Sequence, residues 1–128
     1  MPLTSIAAIL ICVLLGALAV FQLALVCGAP LGHFAWGGAD RVLPARKRVG
    51  SVVAIALYAV FAWVFLMKAG LVQMVLPEIV VDVAAWVIAA YFALGIALNA
   101  ISRSKPERYT ATPVAIVLTV LSVIIAIG

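Results

Sequence analysis

The chain has 128 residues, of which 69% are hydrophobic and 9% charged, with a formal net charge of +4. A soluble domain is roughly 45–50% apolar and about 25% charged, so this composition excludes a soluble enzyme, a secreted disulfide scaffold and a disordered tail. Four membrane helices of about 20 residues each would occupy most of the chain and leave short loops, without room for a second, water-soluble domain.

Four apolar runs, bounded by polar residues or by Pro and Gly, predict helices over about 3–27, 49–67, 79–101 and 112–127. Lipid forbids unpaired backbone groups, and the runs are too long for barrel strands. The expected fold is therefore an all-α membrane protein, a four-transmembrane-helix bundle forming a single domain over 1–128. The first run lacks a positively charged leader, and its apolar stretch of about 25 residues exceeds the usual 7–15 of a signal peptide. It is expected to stay as a helix. Cys12 and Cys27 fall within it, roughly 22 Å apart at 1.5 Å rise per residue. That is too far for a disulfide, and both read as small apolar residues.

Loop one, 28–48, carries Gly28, Gly32, Gly37 and Gly38, two prolines, and the apolar residues Leu31, Phe34, Ala35 and Trp36. It has two readings. Glycines permit close backbone approach, so the loop can re-enter the membrane where protein or water surrounds it. The plainer reading is an interfacial loop anchored by Phe34 and Trp36. Asp40, Arg41, Arg46, Lys47 and Arg48 follow. Loop two holds only Lys68, Glu78 and Asp82 as charges, around the apolar Leu71–Leu76. Pro77, Glu78 and Asp82 suit the start of helix three, and Lys68 is placed to neutralise one of the two carboxylates. Loop three carries Arg103, Lys105, Glu107 and Arg108. Ser104-Lys105-Pro106-Glu107 matches a capping box, so helix four is expected to begin near Lys105 and bend at Pro113. Seven of the eight basic residues lie in loops one and three. The positive-inside rule puts these loops in the cytoplasm and both termini on the outer side of a plasma membrane.

The run Gly28-Ala29-Pro30-Leu31-Gly32-His33-Phe34-Ala35-Trp36-Gly37-Gly38 precedes Leu43-Pro44-Ala45-Arg46. Later come Asn99-Ala100-Ile101-Ser102-Arg103-Ser104 and Glu107-Arg108. Together these resemble a family of small four-helix bacterial integral membrane proteins without an assigned activity. The resemblance spans the chain and implies the fold, but no catalytic residues. Small multidrug exporters and fluoride channels share the size alone. Helix one has no buried carboxylate, and no fluoride-channel signature is present.

The candidate ligand-binding residues are Gln22, His33, Trp36, Asn99 and Arg103. His33 is the one histidine and has no companions at metal-ligand spacing, so no metal and no cofactor are expected. Gln22 and Asn99 are the amides within the spans and must find partners there, either each other, loop one or a ligand. Arg46, Lys47, Arg48, Lys105 and Arg108 are candidates for lipid headgroups. Tyr58 with Tyr91, and Trp63 with Trp86, fall at matching depths and predict two aromatic layers between helices two and three. Small residues form ridges for close helix contact: Ala8, Cys12, Gly16, Ala24 and Gly28, then Ala89, Ala93 and Ala97, then Ala115, Thr119, Ser122 and Ala126. No nucleophile–base set, phosphate loop or metal cluster emerges. The expected function is a non-enzymatic membrane protein, an accessory subunit of a larger complex or a self-associating bundle. Its partners are lipids and further membrane chains, not nucleic acid. The alternative is a small oligomeric transporter or channel, with a site where loop one meets the inner ends of helices one and three.

Overall fold

The computed structural model describes residues 2–128. Four helices account for most of them: α1 (Leu3–Val26), α2 (Ala45–Lys68), α3 (Glu78–Ala100) and α4 (Lys105–Ile127). There is no strand among the described residues. Each helix is long and apolar enough to cross a membrane. At 1.5 Å per residue they reach about 35 Å, against a hydrocarbon core of about 30 Å.

The boundaries differ from the expected ones where proline and local charge act. α2 begins at Ala45 because Pro44 holds extended backbone as its N-cap, which draws Arg46, Lys47 and Arg48 into the first turns. α4 starts at Lys105, where the capping-box segment placed it, and continues as helix through Pro113. Its Ser104 does not cap in the expected way. No side-chain cap bond forms, and the Ser104 hydroxyl donates instead to the backbone carbonyl of His33.

The helices pack as a ring. α1 lies along α2, α3 along α4, and α1 along α4, while the α2–α3 seam is thinner. Gly128 lies against Thr4, so the start of α1 and the end of α4 sit at one end of the bundle, and loop one and the α3–α4 turn at the other. The terminal half is filled. Ile11, Leu15, Phe65, Met67, Val81 and Ile125 are fully buried there, in one cluster that extends to Phe61, Ile88 and Phe92. In lipid this cohesion comes from close packing, because the surrounding acyl chains are as apolar as the side chains. The hydroxyls of Thr119 and Ser122 are satisfied within α4 by the carbonyls four residues back, at 2.7 and 2.6 Å. Lys68 pairs with Asp82 at 2.7 Å and ties α2 to α3 near that end.

Two sequence expectations about packing need correction. Phe61, Tyr91 and Phe92 form the aromatic layer, with ring centroids 5.6–5.8 Å apart in edge-on geometry. Trp63 and Trp86 are exposed on the outside of the bundle, because Trp63 lies about 140° around the helix from Tyr58 at 3.6 residues per turn. The small-residue ridges are used only in part. Ala8 is buried, the Cys12 thiol approaches the Ala62 carbonyl at 4.0 Å, and Gly16 faces open space.

Candidate functional site

The half of the bundle near loop one is hollow. A cavity of about 770 Å³ lies between the helices, within the 300–1,000 Å³ range of small-molecule sites. α1 contributes Leu18, Phe21 and Gln22, α3 contributes Tyr91, Leu94, Gly95, Leu98 and Asn99, and α4 contributes Glu107, Thr110, Ala111 and Val114. Tyr58 is the one wall residue from α2. The wall is therefore open along the thin α2–α3 seam, where Leu94 and Leu98 are exposed.

Loop one makes the floor. It folds into two 3₁₀ turns, Gly32–Phe34 and Trp36–Gly38, and Leu31, Phe34, Ala35 and Trp36 face the cavity. A second small core fixes it beneath α1, with Leu25, Ala35 and Leu43 buried against Phe21. The glycines are what allow this. The Gly32 N–H donates to the Arg41 carbonyl at 2.8 Å, and a Cβ at Gly32 would overlap the carbonyls of Asp40 and Arg41. Gly38, at φ +73, presses on the side chain of Ser104 so closely that a Cβ has no space. Loop one is thus a built floor with its own core, more ordered than an interfacial anchor requires.

The polar groups of the cavity are few. Gln22 approaches the Tyr58 side chain, yet its Oε1 is buried without a hydrogen-bond partner. Asn99 lies across the cavity on α3. Glu107 is 8% exposed, and its Oε2 accepts one long hydrogen bond, from the Gly37 N–H at 3.4 Å. The ion pairs among the described residues are Lys47–Asp40 and Lys68–Asp82, so Glu107 has no cationic partner.

Of the predicted ligand residues, Gln22, Trp36 and Asn99 line this cavity, while His33 and Arg103 do not. His33 is exposed, with Nδ1 donating to the Gly38 carbonyl at 3.2 Å. Arg103 is exposed at the α3–α4 turn. Among the predicted headgroup residues, Arg46 and Lys105 are exposed. Lys47 is held by Asp40, the Arg48 Nε–H donates to the Leu43 carbonyl at 2.8 Å, and Arg108 turns to the Ser102 carbonyl and the Tyr109 ring. No group of three or more His, Cys, Asp and Glu side chains among the described residues is placed to hold a metal.

Sequence reasoning missed Glu107 and Tyr58 as wall residues. Ser104 and Glu107 had the spacing of a local cap, and only the docking of loop one shows that both side chains turn outward from α4 to it. No family model, curated protein or solved structure matches the chain.

Proposed function

We propose that the protein is a small bacterial plasma-membrane carrier or receptor that takes a hydrophobic small molecule from the cytoplasmic leaflet into the cavity. The observation behind this is the filled terminal half set against a hollow, laterally open half floored by loop one. The positive-inside rule puts the hollow half on the cytoplasmic side. A bundle that served only as structure would gain cohesion by filling this space, since packing is what holds membrane helices together.

The test uses purified protein in nanodiscs and three probes of similar bulk: tetraphenylphosphonium, tetraphenylborate and neutral triphenylphosphine oxide. At least one should bind saturably above protein-free discs. Gly95 lines the cavity and a Cβ there meets only Asn99 Nδ2, at 4.0 Å, so Gly95→Phe should occlude the cavity and abolish that binding. If no probe binds saturably, the cavity is not a ligand site.

Self-association is a second reading, supported by Ala93 and Ala97, which are exposed along α3 four residues apart, the spacing that lets helices approach closely. Mass measurement in nanodiscs tests it, and a strict monomer would rule it out.

A further inference from the structure

Building on the ligand-binding reading, we infer that the occupant is an amphiphilic monovalent cation whose charge rests against Glu107. The chemical class is an amine or quaternary onium with apolar or aromatic substituents. Glu107 is the one charged residue in the cavity wall, on the first turn of α4. A buried carboxylate is costly unless a cation and further hydrogen bonds compensate it. Here the compensation is one backbone N–H at 3.4 Å.

No basic residue among the described residues forms an ion pair with Glu107: Arg103 and Lys105 are exposed at the α3–α4 turn, and the other nearby cations are engaged elsewhere. Arg48 is held by the Leu43 carbonyl and lies beside Gly28. Arg108 stacks over Tyr109, 5.0 Å from the ring centroid. Lys47 belongs to Asp40. The protein thus encloses a negative charge and supplies no positive one to it.

The rest of the wall suits the same occupant. Aromatic side chains from four elements line the cavity: Phe21 of α1, Tyr58 of α2, Tyr91 and Phe92 of α3, and Phe34 and Trp36 of loop one. Aromatic faces attract cations, most strongly where water is excluded. The unpartnered Gln22 Oε1 is a further acceptor with no donor of its own. An aromatic, laterally open cavity whose one charge is negative admits a molecule that travels in lipid and carries a positive charge. An anion would meet the Glu107 carboxylate, the one charge in the wall. A small hydrated metal ion would find mostly hydrocarbon and no cluster of ligands.

The three probes decide the point in the native protein. Tetraphenylphosphonium should bind roughly tenfold or more tighter than tetraphenylborate, the size of one net charged contact, with triphenylphosphine oxide between them. Glu107→Gln keeps an acceptor for the Gly37 N–H while removing the charge. It should weaken phosphonium binding roughly tenfold or more and leave the neutral oxide unchanged, which also reports that the cavity is intact. If all three probes bind alike, or the borate binds best, recognition is by shape or by the exposed arginines, and the inference is wrong even though the cavity binds ligands. Loss of all probes in Glu107→Gln would leave the native probe order as the deciding measurement. Binding of none by the native protein defeats the ligand-binding reading itself.

Discussion

Trp36 carries the sharpest local conflict in the chain. It is the one non-glycine residue with positive φ among the described residues, at 53°. Left-handed backbone costs an L-residue about 1–2 kcal/mol. What holds it there is packing, because its ring lies on Gly50 of α2, where a Cβ would stand 2.7 Å from the ring. This predicts an inverted order for two truncations. Trp36→Gly and Trp36→Ala both lose the ring, but the glycine variant also sheds the strain. It should be the more stable by about 1 kcal/mol, measured by denaturant unfolding in detergent. In an ordinary extended loop the alanine variant would be equal or better. Strain at a cavity floor is the kind of outlier that accompanies a binding role.

Between loop one and α4, a motif that reads as local structure has been used over long range. Ser104 and Glu107 lie three apart ahead of an apolar run, and in an isolated helix they would cap each other's backbone donors. In the folded chain Ser104 reaches the His33 carbonyl and Glu107 the Gly37 N–H, about seventy residues away in sequence. Ser104→Ala should therefore loosen loop one while leaving the helix content by circular dichroism unchanged. Gly38→Val, which puts a branched side chain at φ +73 against Ser104, should loosen it further. Limited trypsinolysis at the exposed Arg41 and Arg46 reads this directly. Cleavage should rise modestly for Ser104→Ala and about tenfold for Gly38→Val, given a strain of about 1–2 kcal/mol. Fraying of α4 in Ser104→Ala would restore the capping-box reading. Helix type and number were legible because apolar run length alone decides what can lie in lipid. The partners of Ser104 and Glu107 were not, because short-range spacing is silent about which distant backbone comes near.

Across the whole molecule the two halves do different things. The terminal half is packed through Phe65, Ile11 and Ile125, and the other half is left open around Gln22, Asn99 and Glu107. If the basic loops face the cytoplasm, the open half faces it too, and a native residue can report this. Cys27 is exposed at the end of α1 beside loop one, whereas Cys12 is half-buried between helices. A membrane-impermeant maleimide should leave intact cells unlabelled and modify Cys27 after permeabilisation, with Cys27→Ser as the control. Labelling in intact cells would reverse the orientation and put the cavity on the outer side.

Composition and run length determined that the chain forms four membrane-length helices, since each backbone donor and acceptor in lipid must be paired within its own helix. The alternation of charged loops determined the expected orientation, because Lys and Arg resist translocation whatever the fold inside. The sequence also drew Gln22, Trp36 and Asn99 into one candidate region, from their depth along the helices. Tertiary structure decided the rest. Every face of these helices is apolar, so hydrophobic pattern does not say which face meets a neighbour. That is why Trp63 and Trp86 turned out to face outward and Phe61 and Phe92 inward. It also decided that a space remains between the helices, that loop one closes its floor, and that Glu107 enters its wall without a cation. These depend on how side chains from separate elements fill or fail to fill one volume, a property of packing that no single segment carries.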